Sequence, residues 1–178
     1  MDRDKLSMEQ LGRISVEEYK RKEKTPIVLV LDNIRSMSNI GSIFRSADAF
    51  CLEKIYLCGI TATPPHREIN KTALGATDSV DWQYMESTFE CVKTLKSKGY
   101  TIYSLEQTKN SIMLNDFKVS SIPMAIVVGN EVEGVEQQVI DFCDDVIEIP
   151  QFGTKHSLNV SVSCAVVVWE IVKQLKFQ

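Results

Sequence analysis

"IVLVLD", residues 27–32, decides the fold. It is an unbroken apolar run rich in β-branched residues that ends in an aspartate. That is the pattern of a strand buried on both faces of a parallel sheet. Just before it, Thr25-Pro26 closes the preceding segment, because a residue ahead of proline is pushed out of the helical region. Residues 5–24 read as a polar helix with Leu6, Leu11, Ile14 and Tyr19 as sparse apolar points. Downstream, the strand signature recurs as KIYLCG (54–59), YTIYSLE (100–106), MAIVVGN (124–130) and DVIEIP (145–150). Helical patterns lie between, at 39–50, 67–74, 88–98 and 135–142, and the longest runs over 158–176. Strands alternating with helices at this spacing predict an α/β domain with a mostly parallel sheet flanked by helices.

The bulk properties narrow the class. A chain of 178 residues accommodates one domain with a short appendage. No apolar run reaches the roughly eighteen residues of a membrane span. MDRDKLSMEQ at the start has no signal-peptide core, so a cytoplasmic protein is expected. The cysteines are five, unpaired in spacing and mostly inside apolar segments, which reads as reduced core thiols. The two histidines, His66 and His156, have no Cys or His at ligand spacing, so no metal is expected. Net charge is −4, which does not advertise nucleic-acid binding. Basic residues nevertheless collect in YKRKEK (19–24) and near loops at Arg35, Arg45, Arg67 and Lys71; a solvated helix end accounts for the first run equally well.

Three polar turns follow strands: LDNIRSMSN, VVGNEVEG and EIPQFGTKHS. Ligands of open parallel sheets bind outside the carboxyl ends of the strands, so these loops mark the candidate site. In the first, Ser38 is the expected N-cap, and Ile40, Ile43, Phe44 and Ala47 form a core stripe. Gly41, Arg45 and Asp48 fall outside the stripe. Arg45 is either an exposed arginine pairing with Asp48 or a functional charge. Gly41 completes neither GxGxxG nor a Walker loop; its missing side chain lets another backbone or a substrate come close. In the third, Ser157 or Asn159 can cap the last helix, whose opening alternates serine, valine and alanine.

NIGSIFRSADAF, VVGNEVEGV and IPQFGTKHSLNVSVSCAVVVWE, in this order, resemble the three motifs of the SpoU–TrmH family of RNA ribose 2′-O-methyltransferases, in the SPOUT superfamily. The resemblance covers about residues 25–176. It implies an N-terminal helical extension (1–25) and a methyltransferase domain (26–178) with a C-terminal deep trefoil knot. It implies S-adenosylmethionine held mainly by backbone groups at Gly129, Ile149 and Leu158, with Leu105 beside them. The family's catalytic arginine falls on Arg45, with Asn39, Glu131, Ser157 and Asn159 around it. A guanidinium is effectively always protonated, so Arg45 is expected to stabilise charge rather than act as a base. Arg35, Arg67, Lys71 and Lys22 are the expected RNA contacts. A homodimer is implied, with transfer RNA favoured over ribosomal RNA because the appendage is short; a non-catalytic knotted RNA-binding module is the alternative. Gln151 stands where the family commonly has methionine, and His156 where Glu or Gln is frequent.

Overall fold

The computed structural model describes residues 3–7 and 9–177. Seven strands are named: β1 (Thr25–Asp32), β2 (Leu52–Cys58), β3 (Trp82–Met85), β4 (Thr101–Leu105), β5 (Ile112–Met113), β6 (Met124–Val128) and β7 (Asp145–Glu148). They form one sheet in the order β3-β2-β1-β6-β4-β7-β5, and every pairing is parallel. Among the described residues, seven helices flank it: α1 (Val16–Arg21), α2 (Met37–Ala49), α3 (Arg67–Ala73), α4 (Ala76–Ser79), α5 (Thr88–Ser97), α6 (Gln137–Phe142) and α7 (Val160–Lys176).

The run at 27–31 is apolar throughout because β1 is central and covered twice. Ile27, Leu29 and Leu31 face one way, onto Ile40, Ile43 and Phe44 of α2 and Val167, Val168 and Ile171 of α7. Val28 and Val30 face the other way, onto Val92 and Leu95 of α5 and Val139 of α6. All of these are at most 2% exposed. Truncating one of the largest, Phe44 to alanine, costs about 3–5 kcal/mol on the usual scale for core aromatics.

The expected helix over 5–24 is corrected. Among its described residues, only Val16–Arg21 is helical, started by a capping box in which Ser15 and Glu18 bond each other's backbone N–H groups. Tyr19 is its buried anchor, and its hydroxyl donates to the Ala47 carbonyl. Upstream, Leu6, Leu11 and Ile14 are 61%, 38% and 46% exposed, so no core face supports a longer helix. Residues 1, 2 and 8 of the expected extension lie outside the described residues.

Two edge strands, β3 and β5, were not legible. Both are short and neither has a continuous buried run. The N-cap of α2 is Ser36, not Ser38: its hydroxyl accepts the Asn39 N–H at 3.3 Å. The helix begins two residues early because Glu131 holds the Arg35 and Ser36 amides at its threshold. The last helix starts at Val160, with Asn159 as N-cap accepting from the Ser161 amide. Gly41 is explained by close approach. A Cβ there would lie 2.1 Å from Thr72 Oγ1 and 2.2 Å from the Ile69 carbonyl oxygen, so α2 and α3 touch backbone to backbone. The Arg45–Asp48 pair does not form; Asp48 instead accepts the Ser79 hydroxyl.

All five cysteines are free, and Cys58, Cys91 and Cys164 are buried. Among the described residues, no helix is long and apolar enough to cross a membrane.

Candidate active site

Two of the three polar loops, those after β6 and β7, line one cleft, and the loop after β1 is hydrogen-bonded to its wall without lining it. A cleft of about 580 Å³ at the carboxyl edge is walled by segments after β4, β6 and β7 and by the start of α7. Leu105, Gly129, Ile149 and Leu158, the four expected cofactor contacts, all line it. Glu131, Ser157 and Asn159 line it as well.

The loop after β6 is a tight turn. Asn130 and Gly134 exchange backbone hydrogen bonds at 3.0 Å each way. Asn130 Oδ1 accepts the Val132 and Glu133 amides at 2.8 and 3.1 Å, an Asx-type closure. Gly129 must be glycine here, because a Cβ would sit 2.2 Å from backbone atoms of Gly134 and Val135. Gly134 has φ +72°, and a Cβ on it would strike Glu106 Oε2. That oxygen instead accepts the Val135 amide at 3.2 Å, tying the β4 end to this loop.

One hydrogen-bonded chain crosses all three loops. Glu131 accepts from the Arg35 amide (3.0 Å), the Ser36 amide (3.0 Å) and Asn39 Nδ2 (2.9 Å). Asn39 Oδ1 in turn accepts from Asn159 Nδ2 at 3.0 Å. Asn159 Oδ1 accepts the Ser161 amide and hydroxyl. With both amide groups of Asn39 committed, its orientation is fixed between motif two and motif three. Partial burial opposes ionisation of Glu131, but the bonds from Arg35, Asn39 and Ser36 outweigh it and hold the carboxyl below its ordinary value.

Arg45 lies elsewhere. It is exposed and lines a separate hollow of about 550 Å³ between α2, α3 and α7, with Lys71, Phe50 and Ala165. Its guanidinium makes no hydrogen bond or ion pair within the described residues. Of the expected RNA contacts, the structure brings Lys71 beside Arg45, with Arg67 one turn earlier on α3. Arg35 stands next to the Glu131 chain. Lys22 caps the C-terminus of α1 and lines neither the cleft nor the hollow.

Sequence reasoning missed a second network at the end of β1. Asp32 is fully buried; burial pushes its carboxyl above the ordinary value, against bonds from Thr88, the Glu136 amide and Asn33. Asn33 and Glu136 complete that network. Glu106, Gln107 and Thr108, which line the cleft, were missed too. The available signal was position: each follows a strand directly at its carboxyl end. Among the described residues, no group of three or more His, Cys, Asp or Glu side chains is placed to hold a metal ion.

An all-parallel sheet with a three-loop cleft at its carboxyl edge defines the class: an α/β domain that binds a small ligand where the strands end. The profile of the "SpoU rRNA Methylase family" matches residues 26–169, and the chain belongs to that family. It is 31% identical over 163 residues to an "uncharacterized tRNA/rRNA methyltransferase" of Borreliella burgdorferi, covering 90% of this chain and 69% of that protein. It is 30% identical over 166 residues to the 23S rRNA (guanosine-2'-O-)-methyltransferase RlmB of Vibrio parahaemolyticus, covering 93% and 66%. The chain thus spans about two thirds of the length of these relatives. Among solved structures, the A. aeolicus TrmH/SpoU tRNA modifying enzyme superposes with TM-score 0.78 at 24% identity, over 89% of this chain and 79% of that one. An AdoMet-bound rRNA methyltransferase from Sinorhizobium meliloti gives TM-score 0.79 at 22% identity, over 88% and 59%. At these identities the two structures establish the fold.

Proposed function

We propose that this chain transfers a methyl group from S-adenosylmethionine to a ribose 2′-hydroxyl of RNA, acting as a homodimer. The observation that carries the reading is the Glu131–Asn39–Asn159 chain, which joins all three motifs at the mouth of one cleft. Family membership and the printed activity of the Vibrio relative support it.

The cleft suits the cofactor by its donor set. Leu105, Ile149 and Leu158 offer an apolar wall for a flat base, while Thr108, Ser157 and Ser163 offer hydroxyls for polar ends. When bound, S-adenosylmethionine supplies an electrophilic methyl group on a sulfonium. The chain's residues do the rest. The turn at 129–134 and the Leu158 segment bind the ligand and exclude water from it. Asn39, fixed by Glu131 and Asn159, orients the site for alignment of acceptor and methyl group, a large share of such catalysis. Arg45 stabilises the negative charge that grows on the ribose oxygen as its proton passes to water.

Arg45 faces a hollow outside the cleft of its own chain, so a second copy is needed to bring the two together. The exposed face of α7 supports this: Val162, Val166 and Trp169 are 50%, 39% and 46% exposed, with Phe50 and Phe177 ringed around Trp169. An apolar stripe of this kind beside Arg45 fits a subunit contact. We assign the methyltransferase domain to 26–178, with 1–25 as its extension and a deep trefoil knot in its C-terminal part. Transfer RNA is the proposed substrate and ribosomal RNA the competing one. Lys71, Arg67, Arg35 and Lys22 are the proposed phosphate contacts.

The test is methyl transfer from labelled cofactor to transfer and ribosomal RNA, with nucleoside mapping of the product. Labelled 2′-O-methylnucleosides from one of the two pools are expected. Transfer to neither, with no cofactor binding by calorimetry, contradicts the reading and leaves an RNA-binding module.

A further inference from the structure

Asn33 occupies the left-handed region with φ 55°, where a non-glycine residue needs local hydrogen bonds to persist. All its polar groups are engaged. Its backbone N–H donates to the Cys58 carbonyl at 3.3 Å, and its own carbonyl accepts Asn130 Nδ2 at 2.7 Å. Its Nδ2 donates to Asp32 Oδ1 at 3.0 Å and to Glu136 Oε1 at 2.9 Å. Its Oδ1 accepts the Ile60 amide at 3.1 Å. Gly59 backs directly onto this amide, since a Cβ there would lie 2.1 Å from Asn33 Oδ1. A single residue therefore joins the ends of β1 and β2 to both ends of the segment 130–136.

The bond to Asn130 has a consequence for the cleft. With Asn130 Nδ2 held by the Asn33 carbonyl, Asn130 Oδ1 must face the opposite way. There it closes the turn by accepting the Val132 and Glu133 amides. That turn carries Gly129, Glu131 and Gly134, all of which line the cleft, whereas Asn33 does not line it.

We propose that Asn33 is a positioning residue: it sets the shape of the 129–136 wall and, through that wall, the affinity for the cofactor. The cofactor half rests on the function proposed above; the loop half does not. Asn33→Gly separates the contributions, because glycine keeps the positive φ without steric cost and removes only the side chain. Asn33→Asp keeps size and the acceptor for Ile60 but sets a carboxylate oxygen against Asp32 and Glu136. Asn130→Asp keeps the acceptor for Val132 and Glu133 and severs only the bond to Asn33.

Two measurements decide it. The first is NMR amide exchange at Val132 and Glu133 without ligand, with β1 amides as the reference for an intact fold. The second is calorimetry with S-adenosylmethionine, backed by turnover at saturating cofactor. Loss of the one to three bonds that each variant removes is expected to speed exchange at both amides, and in the Asn33 variants to weaken Kd about tenfold with kcat within about twofold, more strongly in Asn33→Asp. A merely structural role would lower stability and leave Kd and loop exchange unchanged in the folded variant. Unchanged exchange in folded Asn33→Gly, or in Asn130→Asp if Asn33→Gly does not fold, overturns the proposal. Faster exchange with parental cofactor affinity overturns its cofactor half. A parent chain that binds no cofactor defeats the proposed function instead, while the exchange result still decides whether Asn33 shapes the loop.

Discussion

The cleft has two walls made in opposite ways. The 129–136 segment is tied to the β1–α2 junction through Asn130, Glu131 and Glu136, each hydrogen-bonded to residues nearly a hundred positions earlier. The facing segment is almost free. Every residue from 151 to 159 is exposed, and Phe152 is 96% exposed. Its links to the rest are the Gln107 amide on the His156 carbonyl and the Asn159 side chain on Asn39. The difference teaches which parts of the site the single chain completes. A wall fixed by side-chain bonds needs little ordering when a ligand arrives, whereas the exposed one has few bonds to hold it beforehand.

The strongest way to break this contrast is at Arg45. Arg45→Ala is expected to lower turnover about 10²–10³-fold, the usual loss for one transition-state charge contact, and to leave cofactor affinity within about twofold. Kinetics beside calorimetry check it. A large loss of cofactor affinity would place Arg45 on the cleft of its own chain, against the geometry. Next is the fixed wall. Asn39→Ala leaves the Glu131 and Asn159 side chains without their shared partner, for a stability loss of about 1–3 kcal/mol in thermal unfolding. An unchanged melting temperature would mean that the chain of bonds contributes little.

A smaller effect concerns pH. The carboxyl of Glu131 lies below its ordinary value of 4.5, as burial is overcome by hydrogen bonds to its ionised form. A lowered folded value stabilises the fold in full above the unfolded value, and this is lost as pH falls through the lowered one. Glu131→Gln is therefore expected to flatten the acid limb of stability below pH 4.5. An identical acid limb would sink the assignment. The smallest effect is on the free wall. Limited proteolysis is expected to cut within 151–157 and to slow about fivefold with saturating cofactor, since ordering the loop closes its open state. Equal cutting of the two walls would erase the distinction between them.

How much of this was legible in the sequence follows the same division. The strands at 27–32, 54–59 and 124–130 were readable because their central residues, 27–31, 55–58 and 124–128, are buried and apolar. Trp82–Met85 and Ile112–Met113 were not, because edge strands bury too little to leave a pattern. Asn39, Glu131 and Asn159 stood out through their motifs, and one chain of hydrogen bonds joins them. Asn33 did not, because a hub of polar bonds depends on partners at Cys58, Ile60, Asn130 and Glu136 that no local spacing reveals. The helix expected over 5–24 shrinks to Val16–Arg21 because sparse apolar points do not make a helix without a core to receive them.

One measurement addresses the central claim directly: incubate the parent and Arg45→Ala chains with labelled S-adenosylmethionine and RNA, then digest the RNA with alkali. A ribose 2′-O-methyl group blocks cleavage at its nucleotide. The account predicts labelled, alkali-resistant dinucleotides from the parent and none from Arg45→Ala, although both chains bind the cofactor. Label found on a base, or equal labelling by the two chains, would contradict it.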